Sequence, residues 1–332
     1  MIRQKKNWVL AFAFMAFALL AMPVVAQVSL PVSNLGSTSF EDGVAGPGWA
    51  FEQYVNYGYA GKIKDSNGNN DAGTNHLTTD VFLEHVVYYS THKVLGGFYG
   101  GEVLLPFVDV NLESAQAGNN HNRGLGDLTI SPLMLVWTPR PIAGGRLFAH
   151  RFTADIVLPS GKYSKYDVVN PSNHVVSFNP WYAFTLYPKK HSTKFEISSR
   201  IHYLWNSEND DPFVGYGFKN IQPGQAFHEN YAASYEVAKG IRIGFNGYAI
   251  QQITDHKING QSVSDSRERL FGSGPGVQFG SRGLWFYANA YFESGAENRA
   301  QGIHFNFRVL KTFGGHQGPP PAPGPGPVSA QN

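Results

Sequence analysis

Ile303-His-Phe-Asn-Phe-Arg-Val-Leu-Lys-Thr-Phe313 is the stretch on which the fold turns. Ile303, Phe305, Phe307, Val309, Lys311 and Phe313 alternate with His304, Asn306, Arg308, Leu310 and Thr312, the two-residue period of a strand with one apolar and one polar face. An edge strand of a soluble sheet would carry the same pattern. The segments upstream decide what kind of sheet this strand closes.

Between residues 48 and 313 the chain repeats one unit, a run of about ten to fourteen residues with alternating apolarity followed by a connection. Long polar connections (64–75, 109–123, 159–174, 206–224, 253–268 and 294–301) take turns with short ones (90–94, 138–145, 188–193, 239–240 and 280–283). Joined in order they give about twelve strands, both termini on the short-turn side, and a soluble sandwich does not explain such an asymmetry of loops. The reading is an all-β transmembrane antiparallel up-and-down β-barrel spanning 48–313. In the first strand Trp49, Phe51, Val55, Tyr57 and Tyr59 oppose Glu52, Asn56, Gly58 and Lys62; in the seventh Phe195, Ile197, Ile201 and Tyr203 oppose Lys194, Glu196, Arg200 and His202. Lipid takes the first set and the lumen the second. The last strand, with Phe305, Phe307, Val309 and Phe313 on its apolar face, resembles the signal read by the outer-membrane insertion machinery, although residues 314–332 follow it.

The ends fit an exported barrel. Arg3, Lys5 and Lys6, the apolar run Trp8 to Leu20, and Val24-Val25-Ala26 read as a signal peptide over 1–26; an uncleaved anchor is the alternative, but the run is shorter than the roughly 20 residues a bilayer needs. Residues 27–47 are expected as a periplasmic N-terminal segment. Residues 314–332, with Pro319-Pro320-Pro321, are a Pro/Gly-rich tail that cannot pack a core. Without the signal the 26 basic residues fall to 23 against 24 acidic ones, and a net charge of −1 gives no reason to expect nucleic acid. Zero cysteines exclude disulfides and thiolate chemistry.

Parity puts ionisable groups of both signs on the lumen face: Glu52, Asp80, Glu84, Glu102, Asp127, Asp155, Glu196 and Glu236 with Arg151, Lys194, Arg200, Arg242 and Arg308, and His202, His228 and His304 among them. A mixed lining pairs internally and restrains bulk ion flow, whereas one sign alone would select by charge. Asp127 is expected beside a lumen arginine. Twelve strands spaced about 4.8 Å and tilted about 40° enclose a radius of roughly 12 Å, half of it filled by side chains, so only small solutes fit. An enzyme would need a framed nucleophile, and Ser198 or Ser234 beside His202, His228 or His304 has no such motif. His85, His92, His121, His150, His174 and His191 scatter without metal-ligand spacing. No cofactor is expected. Tyr163, Tyr166, Phe213, Tyr216 and Phe218 are too many aromatics for solvated loops, and are expected to fold into the barrel mouth, packing the loops or meeting an apolar solute.

Gly124-Leu-Gly-Asp-Leu-Thr-Ile-Ser-Pro132, Leu158-Pro-Ser-Gly-Lys-Tyr163 and Gly274-Pro-Gly-Val-Gln-Phe279 resemble segments of the meta-pathway phenol-degradation family of outer-membrane proteins, a similarity spanning roughly residues 40 to 313. The resemblance implies a channel in outer-membrane lipid that takes up small apolar or aromatic compounds, not a catabolic enzyme. A non-transporting structural or adhesive barrel is the alternative from another class, and a lipase-like barrel the third.

Overall fold

A segment that is apolar on every second residue has one face to bury, and in lipid a sheet of such segments satisfies its edge strands by closing on itself. The computed structural model describes residues 29–31, 34–115 and 117–314. Twelve antiparallel strands close there into one barrel: β1 (Gly48–Ile63), β2 (Asn75–Val94), β3 (Gly97–Ser114), β4 in two segments (Gly118–Leu125 and Leu128–Ile142), β5 (Arg146–Leu158), β6 (Ser177–Tyr187), β7 (Phe195–Asn206), β8 (Ala226–Ala238), β9 (Ile241–Gln252), β10 (Arg269–Ser281), β11 (Leu284–Glu297) and β12 (Ala300–Phe313). Closure is made by β12 on β1, from Trp49 opposite Phe313 to Ile63 opposite Ala300. Residues 1–26, read above as the signal, and all of the 314–332 tail but Gly314 lie outside the described residues.

Short turns are tight where their residues allow. Leu95-Gly96 and Arg282-Gly283 join neighbouring strands with positive φ at both positions, the geometry whose twist matches paired strands. Two of the expected long loops are largely strand. Residues 109–114 and 118–123 continue β3 and β4 as a hairpin, from Phe107 opposite Leu125 to Ser114 opposite Gly118, and β11 and β12 leave only two residues between them. Polar side chains on both faces had marked these stretches as loop, yet a ladder that projects past the barrel can be wet on both sides. Gly126 and Asp127 interrupt β4, where the Gly126 amide bonds to the Pro106 carbonyl at 2.9 Å.

The largest departure concerns the residues before β1. Expected in the periplasm, residues 34–47 instead run inside the barrel. Leu35, Phe40, Glu41, Asp42 and Ala45 are all buried. The path is fixed by wall contacts down the axis. Leu30 N donates to Glu268 at the long-loop end (2.6 Å), Gly36 N to Asn230 (3.0 Å) and Gly43 N to Thr185 Oγ1 (2.8 Å); Ala45 then packs with Ala50, Val87 and Tyr89 near the short turns. Two glycines permit the fit. Gly36 lies at φ +71° against the rings of Tyr248 and Tyr291, and a Cβ on Gly43 would fall 2.4 Å from the Thr185 amide nitrogen.

Candidate functional site

The lumen is lined by the polar parity of each strand and filled by the N-terminal segment. Its character changes along the axis. Toward the long loops, Leu204 (β7), Ala226 (β8), Tyr248 and Ile250 (β9), Leu270 (β10) and Tyr291 (β11) form an apolar arc on five adjacent strands, and Leu30 and Leu35 pack on it. Both tyrosine hydroxyls are engaged, Tyr248 donating to Glu293 (2.5 Å) and Tyr291 to the Gly36 carbonyl (2.8 Å), which leaves the ring faces as apolar surface.

Below the arc the groups are ionic. Asp42 accepts Nη2 of Arg151 at 2.7 Å, and Nε and Nη2 of Arg200 at 2.8 and 2.5 Å. Both guanidiniums lie over the Trp181 ring, Arg200 at 3.9 Å and Arg151 at 5.0 Å from its centroid. Glu41 meets Arg242 at 3.0 Å and accepts from Tyr187 (2.8 Å) and Gln278 (3.2 Å). The wall carboxylates are satisfied largely by the wall itself. Glu52 accepts from Tyr54 (2.7 Å) and Arg308 (3.3 Å), Glu102 pairs with His85 (2.9 Å), Asp155 accepts from Ser131 and from Trp181 Nε1 (2.9 Å), and Glu196 from Ser198 (2.5 Å) and Ser234 (2.6 Å). Pairing and hydrogen bonding of this kind are what buried charges need.

Glu52, Glu102, Arg151, Asp155, Glu196, Arg200, His202, His228, Arg242 and Arg308 therefore share the lumen, where they are buried. Glu236 sits at its inner rim, accepting the amide of Gly240 at 3.2 Å. Three placements differ from expectation. Asp80 and Glu84 lie on the outer face of β2, opposite Tyr57 and Gln53; Glu84 accepts from Gln53 Nε2 at 2.7 Å. The inward set of that strand is His85, Val87 and Tyr89. Asp127 meets no lumen arginine; it accepts the amides of Gly161 and Asn173, each at 3.1 Å, and so ties the 159–176 connection to the β4 interruption. The mixed lining was expected to pair within the wall, but Arg200 and Arg242 take their carboxylates from the N-terminal segment, Asp42 and Glu41. Sequence reasoning missed those two acids, and no local signal marks Phe40-Glu41-Asp42-Gly43 as luminal. It also missed His85, which strict parity from Val87 would have found, and the apolar arc, which was visible as leucine and isoleucine on faces assigned to water.

His202 and His228 stack at 4.0 Å between ring centroids, beside Trp181 and Asn179. The hydroxyls of Ser198 and Ser234 are turned to Glu196 and away from that pair, so no serine and histidine relay forms from these residues. Among the described residues no group of three or more potential metal ligands occurs.

Over the mouth the 159–176 and 207–225 connections interlock. Lys165 pairs with Asp211 at 2.9 Å, a bond that raises the lysine pKa above its usual range; Tyr163 donates to the Asp211 carbonyl (2.8 Å), accepts from Asn209 (3.0 Å) and stacks on His174 at 4.4 Å. Phe213, Tyr216 and Phe218 form a chain of ring contacts at 5.1 and 5.9 Å, and burial pushes the Tyr216 phenol up. Tyr166 stays out of the mouth, 71% exposed, with Lys165 over its ring. Deeper, Glu268 pairs with Arg299, lies 3.7 Å from His256 Nε2 and accepts the amide of Leu30, which fastens the head of the N-terminal segment to the 253–268 and 298–299 connections. A recess among Phe40, Asp42, Glu52, Arg151 and Arg308 holds about 40 Å³, room for a water molecule or two and not for a solute.

Comparison with known proteins adds three findings. Residues 60–309 match the family model described as "Putative MetA-pathway of phenol degradation". Among solved structures, the COG4313 outer membrane channel from Pseudomonas putida F1 is similar in fold, with a TM-score of 0.68 and 16% identity over 88% of this chain and 99% of that one. The translocator domain of the autotransporter NalP from Neisseria meningitidis gives a TM-score of 0.46 at 9% identity, over 92% and 98% of the two chains. No curated protein matches the chain.

Proposed function

The chain belongs to the phenol-degradation MetA family, and on that premise we propose that it is an outer-membrane channel for the passive uptake of small apolar or aromatic compounds. In this reading the signal is cleaved after Ala26, Phe305, Phe307, Val309 and Phe313 guide insertion, and the long loops face outward.

The observation that carries the solute class is the apolar arc Leu204, Tyr248, Ile250, Leu270 and Tyr291. A lumen evolved for sugars or ions gains nothing from leucine and isoleucine facing inward, because they raise the cost of holding water there. For a single-ring solute the same surface is favourable, by about 25 cal/mol for each Å² of apolar area it removes from water.

A filled lumen also suits the second reading, a structural barrel whose loops bind an external partner. Uptake separates them. Intact cells producing the protein should take up N-phenyl-1-naphthylamine, an apolar aromatic probe excluded by lipopolysaccharide, faster than cells without it. Equal rates at a verified amount of folded protein would leave only the structural reading.

A further inference from the structure

The apolar arc explains half of the lumen, and the arginines below it ask for something else. Arg151, Arg200 and Arg242 are buried on strands β5, β7 and β9, yet among the described residues the carboxylates that pair with them are Asp42 and Glu41, which belong to the segment and not to the wall. Without the segment, Arg151 and Arg200 would share the Trp181 ring with no carboxylate of the described residues in ion-pair contact, and Arg242 would keep only the carbonyls of Thr193 and Lys194 and the Ser234 hydroxyl. Burying charge in that way is costly, so a wall that keeps three such groups is built around an anion.

The geometry identifies the anion. Arg200 gives Nε and Nη2 to the two oxygens of Asp42 while Arg151 reaches the same carboxylate from the side, the planar fork that matches a carboxylate. Trp181 holds both guanidiniums from below and is itself fixed by donating to Asp155, so the receiving groups are oriented by the wall. The occupant is instructive too. Phe40, 1% exposed, directly precedes the two acids, and its ring reaches the backbone of β10 at Gly276. The segment thus carries an aromatic ring and carboxylates into the lumen together.

We propose that Arg151, Arg200 and Arg242 form the carboxylate-binding site of the channel, that Phe40-Glu41-Asp42 occupies it as an internal surrogate, and that the solutes which displace the surrogate are single-ring aromatic carboxylates. The proposal rests on the channel reading above and sharpens its substrate class from neutral aromatics to aromatic anions. The apolar arc takes the ring on the way in, and the arginines take the charge.

The test uses the full-length protein in detergent, with benzoate, benzyl alcohol and inorganic phosphate as probes in titration calorimetry. The variant Glu41→Gln/Asp42→Asn removes the internal carboxylates and should bind benzoate at least tenfold more tightly than wild type does. In that variant benzoate should also exceed benzyl alcohol and phosphate by about tenfold, and adding Arg151→Gln and Arg200→Gln should abolish the preference. If the double variant does not fold, Asp42→Asn alone should show the same order with a smaller gain. Benzyl alcohol binding as well as benzoate, insensitive to the arginines, would overturn the proposal and leave the apolar channel standing. Phosphate binding as tightly as benzoate would overturn it in favour of a small-anion site. Binding of none of the probes by any variant would contradict both this proposal and the channel reading.

Discussion

Arg200 is the residue at which wall and segment are most tightly coupled, since it makes two of the three hydrogen bonds that hold Asp42. Replacing it by alanine leaves Asp42 with Arg151 alone and adds negative charge to a narrow lumen. Arg200→Ala should therefore raise single-channel conductance in planar bilayers and shift the reversal potential toward cations. Phe195→Ala, on the outer face of the same strand, should change neither, and equal behaviour of the two variants would refute the lumen assignment. Gly36 offers a charge-neutral version of the same experiment. Its φ of +71° costs an L side chain about 1–2 kcal/mol, and the new Cβ would sit 2.9 Å from the rings of Tyr248 and Tyr291. Gly36→Ala should push the segment off those rings and raise conductance without a change of ion selectivity; unchanged conductance would show that the segment yields elsewhere.

Strand β7 shows how far parity reaches. Its apolar set Phe195, Ile197, Ile201 and Tyr203 and its polar set Glu196, Arg200 and His202 fall on opposite faces as the alternation requires, because each face meets one solvent along the whole strand. Ile197→Arg should then cost roughly 2–4 kcal/mol in unfolding from lipid, measured by urea titration in vesicles. A variant as stable as wild type would reverse the faces of β7. Strand β2 defeated the same reading, since it carries Asp80 and Glu84 outward and His85 inward. There the Gln53–Glu84 bond satisfies the outward acid locally, so side-chain polarity no longer reports which side a residue faces. In the proposed reading the apolar face of β12 serves assembly as well as packing. Phe313→Ala should lower the yield of heat-modifiable protein in the outer membrane, and a normal yield would place the insertion signal elsewhere.

At the scale of the whole molecule, the alternation and loop asymmetry of residues 48–313 made the closed barrel legible, because a sheet obeys a local period. The contents of the lumen were not legible. Nothing local in Phe40-Glu41-Asp42-Gly43 says that a segment preceding the first strand will double back into the barrel; that depends on arginines more than a hundred residues later, at 151, 200 and 242. The same distance in sequence hid the apolar arc, whose five strands meet Leu30 and Leu35 only after closure. Topology is open to a simple check: a tag within 207–225 should be labelled on intact cells, and one after Phe313 only after permeabilisation. The central claim, that the solute path is the lumen and residues 34–45 close it, is tested most directly by single-channel conductance. Replacing residues 34–45 with a Gly/Ser run of equal length should give a barrel whose conductance exceeds that of wild type several-fold. A folded variant with the small conductance of the wild type would contradict the account.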